Sequence, residues 1–173
     1  MEKKLEVWQR GPVPGIGVLL QPVAHALLQA REELNEYMQD FPAELLWMRP
    51  AGVASVGFHL QHLSGVLDRV FTYARAKALT PEQFVRLAEE GKDSETGYSV
   101  EHLVKRFNEQ VDLAMQQLRA TDGVSLPDFR GVGRTGLPST VMGLLFHAAE
   151  HTMRHIGQLL VTAAVVKAST ELT

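Results

Sequence analysis

The chain has 173 residues, 45% hydrophobic and 21% charged, with a formal net charge of −3 and no cysteine. That length fits one domain (residues 1–173) able to bury a substantial core, and the charge gives no general attraction to nucleic acid or anionic membranes. Without cysteine there are no disulfides, thiolate metal ligands or cysteine nucleophile, so any transition metal must be held by His, Asp or Glu.

In chain order, the opening MEKKLEVWQR is charged and lacks the apolar region of a secretory leader. Helical periodicity dominates from there, and no convincing alternating strand is visible. A first helix is expected from about Val18 to Gln39, closed by Phe41-Pro42. The second is expected to start at Ser55, a good N-cap residue, and to run to about Ala78. Thr80-Pro81-Glu82-Gln83 reads as an N-cap followed by proline at the first helical position, opening a short helix to about Glu90. The polar run GKDSETGYS is a loop, and Ser99 caps a third long helix with Leu103, Phe107, Val111, Ala114 and Leu118 on one face. Thr121 to Pro138 is rich in glycine and proline and reads as an irregular crossing; Ser139 then caps a last long helix to about Lys167. Its apolar run Leu159–Val166 is far shorter than the roughly 20 residues of a membrane span. A cytoplasmic chain is the expectation.

Four long helices with two lengthy connections predict an all-α four-helix bundle. The interval Leu79–Tyr98 is long enough to return along the bundle. Helices two and three then point the same way, an up-down-down-up order with the short extra helix in the crossover.

The last helix carries HAAEHTMRH, with His147, His151 and His155 spaced by four and so stacked on one stripe. An isolated pair of this kind is most often structural. Buried imidazoles, however, need partners or a metal, because an unpaired buried polar group costs about 1–3 kcal/mol. All three cannot share one ion from a straight helix: His147 and His155 are separated by about 12 Å of axis, against metal–nitrogen bonds of about 2 Å. One adjacent pair is the candidate, with a third ligand from another helix. The second helix offers His59 and His62, and periodicity alone leans slightly toward His59. HAAEH also fits an inverted zinc-protease pattern with Glu150 as base, but too little chain follows to supply the further ligand. GVGRTGLPST lacks a G-K-[ST] ending and a preceding strand, so it reads as a plain crossover with Arg134 available to an anionic substrate.

The segments SVGFHLQHL and EHTMRHIGQLL resemble those of the DinB superfamily of four-helix-bundle proteins. In that family a serine opens helix two and a ligand histidine follows seven residues later, matched by Ser55 and His62. Its last helix carries H-x-x-x-H-x-G-Q, matched by His151, His155, Gly157 and Gln158. The resemblance implies a divalent metal, zinc or nickel, held by His62, His151 and His155. His59 and His147 then become neighbours or alternative ligands, and Gln158 a supporting group. Several members of the family are S-transferases or isomerases that use low-molecular-weight thiols. The expected function is therefore a metal-dependent enzyme activating a small thiol or water, of transferase or hydrolase type. The alternative is a non-catalytic metal- or small-molecule-binding bundle acting as a homodimer, supported by the apolar residues Ala163, Ala164, Val165 and Val166. Neither reading involves nucleic acid or a membrane.

Overall fold

The computed structural model describes residues 4–93 and 97–171. Its main elements are α1 (Gln21–Met38), α2 (Val56–Ala74), the short α3 (Pro81–Glu89), α4 (Val100–Ala120) and α5 (Val141–Glu171). Between α4 and α5 stand β1 (Phe129–Val132) and β2 (Leu137–Thr140). Ser94, Glu95 and Thr96, inside the loop expected before α4, lie outside the described residues.

The helix starts follow local chemistry. Ser55 Oγ accepts the Phe58 amide at 3.1 Å, and Ser99 Oγ accepts that of His102 at 3.2 Å, satisfying donors with no partner inside the helix. Thr80 and Gln83 form a reciprocal capping box, and Pro81 occupies the first helical position, where no amide hydrogen is needed. A single 3-10 turn, Val18–Leu20, leads into α1.

The long helices meet on the stripes visible in the sequence. Val56, Leu60, Leu63 and Leu67 from α2, Leu103, Phe107, Val111 and Leu118 from α4, and Leu144, Ala148, Ile156 and Leu159 from α5 are all buried. Both α4 and α5 pack against α1 and α2. Asn35 and Asn108 exchange two amide hydrogen bonds at 2.9 Å, and Arg31 reaches Asp112 at 2.7 Å, so α1 and α4 run in opposite directions. Helices α2 and α4 run the same way: Ser64 and Gly65 face His102 and Arg106 across a cavity, while Gln117 donates to the Phe71 carbonyl. Among the described residues no helix is long and apolar enough to cross a membrane.

Three expectations need correction. Helix α2 ends at Ala74, short of Ala78. Ala76 turns left-handed (φ 57°), and the amides of Ala76 and Lys77 return to the carbonyls of Tyr73 and Thr72, a Schellman closure. The Thr121–Pro138 region is not wholly irregular, because β1 and β2 form an antiparallel hairpin pairing Phe129 with Thr140 and Val132 with Leu137. Gly133 and Gly136, at φ 68° and 63°, supply the left-handed backbone of its turn. Ser139 is therefore a strand residue opposite Arg130, and Thr140 caps α5, its Oγ1 accepting the Gly143 amide at 3.0 Å.

Candidate metal centre

Two helices bring the histidines together. His62, seven residues past the Ser55 cap, lies on the side of α2 that faces α5. His151 and His155 look back from successive turns of α5. His62 meets His151 with Nε2 to Nε2 at 3.0 Å, and His59 meets His155 with Nδ1 to Nδ1 at 3.0 Å. The earlier residue of α2 thus contacts the later residue of α5, so these two helices are antiparallel. The His62 and His155 ring centres are 4.4 Å apart, and those of His151 and His155 4.5 Å apart. One nitrogen from each of His62, His151 and His155 lies within 4.8 Å of the other two. Two nitrogens bound tetrahedrally to one zinc stand about 3.3 Å apart, as follows from bonds of about 2.0–2.1 Å. Small ring movements therefore reconcile the trio with a shared cation.

Electrostatics favours the ligating form of His59, His151 and His155. Burial, reinforced by the nearby His62, pushes His59 and His155 down to about 4. Burial also lowers His151, again with His62 as the next cause. Neutral imidazole is the species that binds a metal. Glu90 sits at the C-terminal end of α3 and is only 8% exposed. Burial acts to raise its carboxyl, but hydrogen bonds from His62 and Arg69 outweigh that and hold it below the usual range. An ionised carboxylate only accepts, so at 2.7 Å His62 must donate Nδ1–H to Glu90. The other ring nitrogen of His62, Nε2, points at His151. The Nδ1 atom of His151 is buried without a hydrogen-bond partner. The cluster's polar demand is thus not met by protein groups alone, as suits a set of donors for a cation.

The other expected residues fall around this trio. His59, 3% exposed, lies outside the three-nitrogen group and touches it through His155. His147 is half exposed and bonded to Glu150 at 2.8 Å, and Arg154 holds the other carboxylate oxygen at 2.6 Å. His147, Glu150 and His151 form a second possible donor group, but Glu150 is already neutralised by Arg154. Gln158 is exposed, one turn beyond His155. Arg134 lies over the Phe84 ring on α3, 5.7 Å from its centre. His25 contacts the Gly11 carbonyl and His102 stacks on Tyr98.

Sequence reasoning missed two contributors. Phe58 stacks on His62, with ring centres 5.3 Å apart and planes 10° apart; its place one turn before a candidate ligand was a usable signal. Glu90 had no comparable signal, since it reaches His62 from the far end of another helix.

No curated protein matches the chain. Among solved structures it is similar to a conserved protein from Enterococcus faecalis, with a TM-score of 0.67 and 20% identity over 86% of this chain and 97% of that one. At that identity the likeness is one of fold. The family model of the DinB superfamily matches residues 26–159, a span that includes all three histidines of the trio. The chain belongs to the DinB superfamily.

Proposed function

We propose that this protein is a metal-dependent enzyme in which His62, His151 and His155 hold a divalent cation, zinc or nickel, to activate a small thiol or water. The observation that carries this reading is the convergence of three imidazole nitrogens within 4.8 Å from two opposed helices. Three protein donors are the number used by catalytic zinc sites, whereas closed structural sites use four. A divalent cation bound there supplies the Lewis acidity that makes a thiol or water nucleophilic at neutral pH. The chain's own contribution is that burial holds His151 and His155 below their usual range, as free bases able to ligate, and that imidazole donors, unlike carboxylates or thiolates, add no negative charge to offset the cation's. Phe58 covers one face of His62, while His151 and His155 remain partly accessible to a small molecule. Transfer to or from a low-molecular-weight thiol, or hydrolysis, is the reaction class. The same reading takes the chain as one cytoplasmic domain with its long helices in up-down-down-up order, supported by the opposed α1–α4 and α2–α5 pairs.

The test compares wild type with His151→Ala, each incubated with zinc or nickel, on a panel of thiol acceptors and esters. Wild-type turnover should fall by about 100-fold or more in the variant, since the nucleophile loses its activator, while the far-ultraviolet circular dichroism stays the same. Metal binding by wild type without turnover on either panel overturns the enzymatic reading.

One observation favours a second reading, a non-catalytic dimeric binding module. Ala163 and Val166 point into the core, but Val161 and Val165, one turn apart on α5, are 66% and 45% exposed. A dimer mass by light scattering, combined with metal binding and no turnover, is the outcome that supports it.

A further inference from the structure

Glu90 reaches the histidine cluster from outside the two helices that build it, and three side chains on α2 hold its segment there. Gln61, 5% exposed, accepts the Gly91 amide at 2.7 Å and donates to the Lys92 carbonyl at 3.1 Å. Those two bonds clamp the chain immediately after Glu90 onto α2. Arg69, 11% exposed, donates to Glu90 Oε1 at 2.5 Å, and His62 engages Oε2 at 2.7 Å. Gly65 lies between Arg69 and Gln61, and a Cβ there would collide with Glu90 Oε1 and the Arg69 guanidinium. The carboxylate and the guanidinium thus occupy the space that a side chain at residue 65 would need. Gln61, His62, Gly65 and Arg69 fall on one face of α2 by their three- and four-residue spacing. From the other side, Gln83 of α3 donates to Thr72 Oγ1 at 3.0 Å.

A latch that only fastened α3 would need neither a buried carboxylate nor its contact with His62. Burying a charge is costly unless it is paired and fully hydrogen-bonded. Here each oxygen has its own donor, and one of those donors is the imidazole whose other nitrogen faces His151.

We infer that Glu90 is a positioning residue for the metal centre: braced by Arg69 in the space left by Gly65, it fixes His62 as the Nδ1–H tautomer and aims Nε2 at the cation. The inference rests on the metal site proposed above and adds a third chain segment to it. Outer partners of this kind orient a ligating imidazole and raise its basicity, and losing one typically weakens metal affinity about 10–100-fold. In Glu90→Ala, His62 is free to rotate and to exchange tautomers. In Gly65→Ala the carboxylate is retained but displaced, and the effect has the same direction.

Two measurements test this on the full chain. Zinc affinity is measured by competition with a chelator for wild type, Glu90→Ala and Gly65→Ala, with folding checked by circular dichroism. Both variants should bind zinc about 10–100-fold more weakly. Glu90→Gln should fall between wild type and Glu90→Ala, because its amide oxygen still accepts from Nδ1–H. Nitrogen-15 NMR of the imidazoles, without metal, should show His62 as the Nδ1–H tautomer in wild type and as a mixture in Glu90→Ala. A purely structural latch would lower the melting temperature of both variants and leave the tautomer and zinc affinity unchanged, which overturns the inference. Weak zinc binding by wild type itself, with His62 still locked as the Nδ1–H tautomer, would defeat the proposed metal site and leave Glu90 orienting His62 alone.

Discussion

At the scale of single residues, the histidine trio was only partly readable. Heptad-like spacing placed His59 nearer the buried face than His62, and the structure agrees that His59 is the more buried ring. Burial is not what brings a ligand to a metal, however. His62 stands where the α2 face turns toward α5, and its partly exposed position lets it meet both His151 and Glu90. Periodicity describes distance from the core axis and cannot say which neighbouring helix a boundary residue will face. The spacing from the Ser55 cap, read through the family resemblance, supplied what periodicity lacked.

A different residue carries the clearest pH signature. Glu32 takes hydrogen bonds from Arg10 at 2.6 and 2.9 Å and an ion pair from Lys4 at 2.9 Å, and its carboxyl is pulled from 4.5 to about 2, chiefly by the Arg10 hydrogen bonds. Its folded form thus binds a proton less readily than its unfolded form. The contribution is complete above pH 4.5 and disappears as pH falls toward about 2. With solvent screening it amounts to the order of 1 kcal/mol. Glu32→Gln should be less stable than wild type by that amount in urea at pH 7, and the difference should shrink steadily below pH 4.5. A gap that stays constant through this range would show that the carboxylate's charge has no part in it.

At the scale of elements, caps and apolar stripes located the helices well because both are local signals. Ser55, Thr80 and Ser99 each cap as expected, and the α4 stripe is buried along its whole length. The hairpin was hidden because little of its apolar surface is buried. Phe129 and Leu137 are 64% and 62% exposed, and Val132 alone among the apolar strand residues packs against the core, too little for an alternating pattern to be read. A contact distant in sequence anchors β1 instead: Arg130 Nε donates to the Ala74 carbonyl at 2.9 Å. The same Ala74 carbonyl lies at the point where α2 ended early. Helix α3 offers a test at this scale, since Thr80 caps it and Gln83 ties it to Thr72. Thr80→Ala should cost about 1 kcal/mol, with faster amide hydrogen exchange concentrated in α3. An exchange increase spread evenly over all the helices would instead mean that α3 has no independent stability.

For the whole molecule, the bundle and the site are one design problem. The four long helices create the core, and opposed α2 and α5 place imidazoles at equal height near its edge. The short α3, returning along the bundle, brings a carboxylate behind one of them. The first feature follows from repeating patterns in the sequence, and the second from those patterns together with the spacing of His62 from the Ser55 cap. The third depends on how a connection folds back across 28 residues between His62 and Glu90, and no local pattern encodes that path. A cation joining α2 to α5 would also bind the folded state in preference to the unfolded one and raise its stability in proportion to the logarithm of metal concentration.

The most direct measurement is an anomalous-difference map from crystals of the untagged protein loaded with zinc, collected at the zinc absorption edge. The expected result is one strong peak about 2.0–2.1 Å from a ring nitrogen of each of His62, His151 and His155. A peak seated instead between His147, Glu150 and His151, or no ordered peak near residue 62, would contradict the three-histidine centre.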